Sequence, residues 1–172
     1  MGQYYRIIFL SDSGSKGNEI IRFWIDPSVY SGIKLMEHAY FSYLLSLVES
    51  LLSKNGMFYK GRIVWAGDYG DEEQEKGENL YEMAQRVECF RISTFKQTEN
   101  RYIINHTKKQ YVNKTKSSDI HPLALLVAEG NQRGGGDYYG NNAELCGTWA
   151  RDVISMEDEI PESYTELVCD FN

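Results

Sequence analysis

One four-residue string occurs twice in the chain, as Trp65-Ala66-Gly67-Asp68 and as Trp149-Ala150-Arg151-Asp152. Each copy lies downstream of an aromatic, β-branched segment, residues 22–26 and residues 109–113, with a helix-like stretch in between. Trp24 and Trp65 are 41 residues apart, and Tyr111 and Trp149 are 38 apart. Self-similarity at this period constrains the fold strongly, because the same supersecondary unit has to be built twice and the two copies have to share a core.

The local patterns supply the unit. Residues 4–10 are aromatic and β-branched and end in Ser11-Asp12-Ser13-Gly14, which reads as a strand closed by a turn. Residues 20–26 form its hairpin partner, stopped by Pro27. From 34 to about 53, Met36, Tyr40, Leu44, Leu47, Val48 and Leu51 recur at helical spacing, and Asn55-Gly56 supplies a stop. Residues 58–66 follow as a strand. The acidic stretch 67–79 has no apolar period and reads as a mobile insert between the halves. A short helical turn is expected at 80–85, strands at 87–95 and 101–105, and a strand at 109–113 returning across a turn at 106–108. A second helix is expected over 120–129, capped by Asp119 and ended by Gly130. Residues 145–156 and 164–171 read as closing strands. The sum is an α+β domain spanning 1–172. Two β-β-α-β-like half-repeats, about 1–70 and 100–172, form an antiparallel sheet packed by two helices on one face.

A hydrophobic share of 42% with 13% aromatics is enough to bury a core, which excludes a disordered chain. The net charge of −7 argues against direct binding to nucleic-acid phosphates, since that needs clustered positive charge, and only Lys108, Lys109, Lys114 and Lys116 approach a cluster. Residues 35–52 are interrupted by Glu37, His38 and Glu49, so no membrane span is expected. The start Met1-Gly-Gln-Tyr-Tyr-Arg lacks the pattern of a secretory signal, and the expected compartment is the cytoplasm, that of the host cell if the chain is phage-encoded. Cys89, Cys146 and Cys169 are three and scattered, which fits neither a disulfide framework nor a zinc site.

No string carries recognisable catalytic chemistry. The phosphate-loop, dinucleotide and nucleophile-elbow patterns are absent, and His38, His106 and His121 show no ligand spacing, so no cofactor, metal or catalytic residue is assigned. The most unusual composition is the glycine-rich loop 130–140. Its Gly135 and neighbouring glycines let backbone amides approach a ligand, and Glu129, Asn131, Arg133, Asp137, Tyr138 and Tyr139 are the candidate ligand- or partner-binding residues. In the duplicated string, Trp65 and Trp149 are expected against the core and Asp68 and Asp152 at strand ends. If the two aspartates converged, they would form a carboxylate pair able to hold a divalent cation for hydrolysis.

Three features together resemble a loose family of small bacterial and phage-associated proteins without an established activity. They are Asn105-His-Thr-Lys-Lys-Gln-Tyr-Val112, Gly130-Asn-Gln-Arg-Gly-Gly-Gly-Asp137 and the Trp-Ala-x-Asp pair. The likeness covers about 100 residues, mostly in the second half, and departs at Arg151, where glycine is expected by analogy with Gly67. It implies a stand-alone accessory protein of prokaryotic or phage origin. With the small size, the negative charge and the lack of a catalytic signature, it points away from an enzyme and towards a binding or inhibitor protein of the immunity or anti-defence type, with a protein partner. The alternative is a small-ligand or nucleotide-binding protein that uses the 130–140 loop, with Arg133 pairing an anion.

Overall fold

The computed structural model describes residues 2–11, 20–30, 34, 42–116, 120–131 and 138–172. In chain order these give β1 (Tyr5–Leu10), β2 (Ile21–Ile25), α1 (Tyr43–Leu52), β3 (Gly61–Gly67), α2 (Leu80–Met83), β4 (Tyr102–Asn105), β5 (Gln110–Asn113), α3 (Pro122–Leu126), β6 (Ala128–Glu129), β7 (Val153–Glu157) and β8 (Thr165–Glu166). The fold is α+β, an open and mostly antiparallel eight-stranded sheet with a few short helices.

The strand order is β2-β1-β3-β7-β4-β5-β8, with β6 beside β3. β1 lies between β2 and β3, and β4 lies between β5 and β7, all antiparallel. These two triplets meet edge to edge through β3 and β7, where only Gly61↔Ile154 and Arg62↔Val153 are paired. The β3–β6 and β5–β8 pairs are parallel, so the sheet is mixed rather than purely antiparallel.

Strand alternation divides the side chains between two faces. Ile7, Phe9, Ile63, Trp65, Ile103, Val112, Ile154 and Met156 join the leucines of α1 and α3 in one core that runs across both triplets. Ile8, Leu10, Val64 and Ala66 point the other way and meet Leu80 of α2 and Ala84 just beyond it. Helices therefore cover both faces: α1 and α3 lie on one, and α2 covers part of the other.

α1 forms because Leu44, Leu45, Leu47, Val48, Leu51 and Leu52 make a continuous buried face, and Ser42 caps it by accepting from Leu45 N at 3.2 Å. The helix stops at Ser53, two residues before the expected Asn55-Gly56 signal. There the Ser53 hydroxyl donates to Glu49 O at 2.6 Å. Gly56 still matters, because a Cβ there would stand 2.2 Å from Leu51 O. The expected start of the helix, residues 35–41, lies outside the described residues.

Several expected elements are shorter or absent, each for a visible reason. Residues 87–95 make only an isolated bridge, Trp24↔Cys89, because Phe90 turns into an aromatic cluster with Phe23 and Phe58. The second helix ends at Leu126, since Ala128 and Glu129 pair with Trp65 and Ala66 as β6. It is capped by His121, whose ring accepts from Leu123 N, while Asp119 lies outside the described residues. Residues 145–152 are turns instead of strand, because Gly147 N and Trp149 N bond the α3 carbonyls of Leu125 and Leu126. Only Thr165–Glu166 of the expected 164–171 strand pairs in the sheet; beyond it, Asp170 N bonds Asn142 Oδ1 and Asn172 N bonds Tyr138 OH. The two Trp-Ala-x-Asp strings consequently fall at unlike places. The first straddles the C-terminal end of β3, and the second precedes the N-terminal end of β7.

The acidic stretch 67–79 is tied back on itself at the start of α2. Asn79 caps α2 in a capping box and donates to Asp68 O and Gly70 O, both at 3.1 Å, and Glu73 is buried.

Where the two triplets share their core, Glu49 of α1 accepts from Lys114 Nζ at 2.6 Å and from His121 Nε2. All three side chains are buried. His121 Nδ1 accepts from Leu123 N at 3.1 Å, so the ring proton sits on Nε2 and the imidazole is neutral. Burial pushes the Glu49 carboxyl up, but His121 and the Lys114 ammonium outweigh it and hold the carboxyl below its usual range. Glu49→Ala is expected to cost about 3–5 kcal/mol, because it removes the carboxylate that a buried ammonium and a buried imidazole both bond. Urea denaturation measures this, and a loss under about 1 kcal/mol would show that the cluster contributes little to the fold.

Candidate functional site

Of the candidate residues of the glycine-rich loop, the structure describes Glu129, Asn131, Tyr138 and Tyr139. Arg133, Gly135 and Asp137 lie outside the described residues. Asn131 is exposed and accepts from Gln3 Nε2 at 3.1 Å. The tyrosine pair splits. Tyr138 is buried against Phe171, donating to Asn141 O at 2.7 Å and accepting from Asn172 N at 3.1 Å, whereas Tyr139 is 90% exposed.

Glu129, at the root of this loop, pairs with Arg151. Arg151 Nε and Nη2 donate to its two oxygens, each at 2.7 Å, while Nη1 reaches Glu73 Oε2 at 3.0 Å and Nη2 reaches Glu73 Oε1. Arg151 has φ +67, the left-handed region that favours glycine, so glycine is the residue the backbone itself asks for at this position. The two buried carboxylates hold an arginine there against a cost of about 1–2 kcal/mol.

Trp65 and Trp149 are both fully buried in the shared core, and the Trp149 indole N–H donates to Gln110 Oε1 at 3.0 Å. The aspartates beside them do not converge. Asp68 Oδ1 accepts from Tyr4 N at 3.0 Å, whereas Asp152 Oδ2 accepts from Asn105 Nδ2 at 2.8 Å and faces Lys108. Arg151 N bonds Ile63 O, which sets Asp152 beside Ile63, and Asp68 lies five residues further along β3, roughly 16 Å at strand rise. A bridging carboxylate pair is excluded at that separation. Among the described residues no three His, Cys, Asp or Glu side chains gather to hold a metal ion.

A convergence of polar groups that the sequence did not reveal lies on the second triplet, on the face turned away from α1 and α3. Strand register puts Ile104 and Ser155 opposite each other there, with Tyr111 on the far side of Ile104 and with Tyr102 facing Glu157 and Asn113. Ser155, 0% exposed, donates to Glu157 Oε1 at 2.9 Å. Its oxygen must then accept from His106 Nε2 at 2.7 Å, and His106 Nδ1 accepts from Tyr164 OH at 3.1 Å. Tyr59 also bonds Glu157, which, with burial, pushes its phenol up to about 12. Tyr102 and Tyr111 meet edge to face at 5.8 Å, as do His106 and Tyr164.

This chain of hydrogen bonds runs the wrong way for nucleophilic catalysis. The serine proton goes to Glu157, and the imidazole donates to the serine oxygen instead of drawing a proton from it. Burial also pushes the Cys146 thiol up to about 12 and the Cys169 thiol up to about 11, so neither supplies a thiolate near neutral pH. The network orders a surface. It fixes His106, Tyr59 and Tyr164, all half-buried, around Tyr102 and Tyr111, and no helix among the described residues covers them.

Two predictions follow from these charged clusters. Arg151→Gly relieves the backbone but takes the guanidinium away from two buried carboxylates, so a net loss of about 2–4 kcal/mol is expected, and adding Glu73→Gln and Glu129→Gln recovers most of it. Thermal unfolding of the single and triple variants distinguishes this from a mutation that simply stabilises. For pH, burial and then the charge of Lys60 lower His106 from 6.5, and burial likewise lowers His121. Both groups have depressed folded values, so their stability is present above 6.5 and lost as pH falls through the folded values. Unfolding free energy is expected to fall as the pH drops below about 6.5, and His106→Gln removes one share of the slope. A flat profile in that window contradicts the assignment.

No family model, no curated protein and no solved structure matches the chain.

Proposed function

We propose that this chain is a non-enzymatic binding protein that recognises a protein partner through the tyrosine-rich sheet face of its second triplet. The reading is carried by one observation, the uncovered cluster of Tyr59, Tyr102, Tyr111, Tyr164 and His106, in which Tyr59, Tyr164 and His106 are held by internal hydrogen bonds. Tyrosine gives large contact area with little side-chain entropy to lose, and rigid aromatic clusters are where binding energy concentrates in protein interfaces. Charges of both signs border the face, the carboxylates of 157–172 together with Lys60 near His106 and Lys116 on Glu166, so its aromatic area rather than its net charge carries the recognition.

The same reading keeps the immunity or anti-defence role and the prokaryotic or phage origin that the sequence resemblance implies, with action in the cytoplasm. Among the described residues no helix is long and apolar enough to cross a membrane. It also treats β1-β2-α1-β3 and β4-β5-α3-β7 as half-repeats; the support is that each helix follows a hairpin whose first strand is the middle of its triplet. Nothing in the described part of the glycine-rich loop favours the alternative of an anionic ligand there.

The test is native mass spectrometry of the tagged protein recovered from its own host's lysate, with and without Tyr111→Ala and Tyr164→Ala. The expected result is a stoichiometric protein partner whose affinity falls about 30-fold or more in the double variant, with the fold unchanged by circular dichroism. Retention of the partner by the double variant, or turnover of any substrate, overturns the proposal.

A further inference from the structure

Residues 94–100 run towards β4 without a turn or bend. Across 94–99 no main-chain N–H or C=O pairs with another described residue. Free backbone groups in an otherwise mobile loop would mean little, but this stretch is fastened at both ends by side chains. Upstream, Tyr30 OH bonds both Ile92 N and Ile92 O at 3.2 Å, and Tyr43 OH donates to Ser93 O. Downstream, Asn100 Nδ2 donates to Ser53 Oγ at 2.6 Å and to Thr98 Oγ1 at 3.1 Å, and Ser53 is itself anchored on α1. Between the two fastenings lies a row of unpaired donors and acceptors about 20 Å long at strand rise.

That row forms one wall of a cleft of about 700 Å³, whose other wall is the C-terminal end of α1 and the turn after it. Its apolar lining comes from Leu51, Met57, Ile92 and Phe95, and Met57 is one of the most exposed large hydrophobic side chains of the protein. A pre-straightened backbone edge beside a strip of apolar side chains matches what an added β-strand needs. The edge supplies main-chain hydrogen bonds, and the strip supplies contacts for alternate side chains. Because the edge is held straight in advance, little of the binding free energy is lost to ordering it.

We propose that this cleft takes an extended segment of the partner protein, which pairs with residues 94–99 and places an apolar side chain at every second position onto Leu51, Met57, Ile92 and Phe95. The inference rests on the protein-recognition reading above and adds a second contact, distinct from the tyrosine face.

Short randomised peptides displayed on phage, selected on the full chain, test it. The selected sequences are expected to alternate apolar and polar residues, and the bound peptide to slow hydrogen exchange at the amides of residues 94–99. N-methylation of the inward-facing peptide amides is expected to weaken binding about tenfold or more, because each methyl group removes a donor to this edge. Gln97→Pro deletes one donor of the edge at an exposed position and is expected to weaken binding similarly without lowering Tm. Failure to select any peptide, selected peptides that leave 94–99 unprotected, or indifference to both N-methylation and Gln97→Pro overturns the proposal. Concentration-dependent self-association that protects the same amides assigns the edge to a second copy and overturns it as well. If peptides fail here while the wild-type chain still captures its partner through Tyr111 and Tyr164, only the cleft is lost; if no partner is captured at all, the recognition reading fails with it.

Discussion

A single carboxylate inside the protein determines how its two parts meet. Glu49 sits on α1, which follows the first hairpin, and its two partners come from the second half, Lys114 just past β5 and His121 at the start of α3. Hydrophobic contact alone would let two leucine-rich surfaces slide over one another at small cost. A buried ammonium seated on a buried carboxylate at 2.6 Å resists this, since a shift lengthens a charged contact in the core. The neutral His121 extends the constraint to α3, because the same ring caps that helix through its other nitrogen.

With the core face closed by α1 and α3, the opposite face is the one that differs between the triplets. On the first, Leu80 and Met83 of α2 and Ala84 beyond it cover Ile8, Val64 and Ala66. On the second, tyrosines and His106 do the covering themselves, and they remain partly in contact with solvent. A sheet face closed by its own aromatic side chains and tied by a continuous chain of hydrogen bonds is stiff without being sealed, which is the condition under which a surface binds without losing much freedom.

The sequence made the first hairpin, α1, β3 and the β4–β5 hairpin legible, because each has a strong local period bounded by turn residues. It misled where a long-range partner overruled the local pattern. Residues 127–129 continue a helical pattern but leave the helix to pair with β3, and residues 145–152 resemble a strand but bond to the end of α3. The duplicated Trp-Ala-x-Asp strings lie at opposite ends of β3 and β7 and so mark unlike places in the sheet. The site was less legible still. His106 is separated by 49 residues from Ser155 and by 58 from Tyr164, and no spacing rule connects them. Arg151 was noticed as a departure from glycine, and the backbone justifies that, but its partners Glu73 and Glu129 are 78 and 22 residues away.

The seam between the triplets has a mechanical consequence. Within each triplet the central strand is zipped along its length, with six residue pairs from β1 to β3 and four from β4 to β7, whereas β3 and β7 share two. Main-chain bonding is thus thinner between the triplets than within them, and continuity across the seam is delegated largely to the side chains of α1, α3 and the Glu49 cluster. Pulled apart across β3 and β7, such a sheet opens like a hinged book whose spine is made of side chains, and the three strands of each cover stay together after the spine has given way.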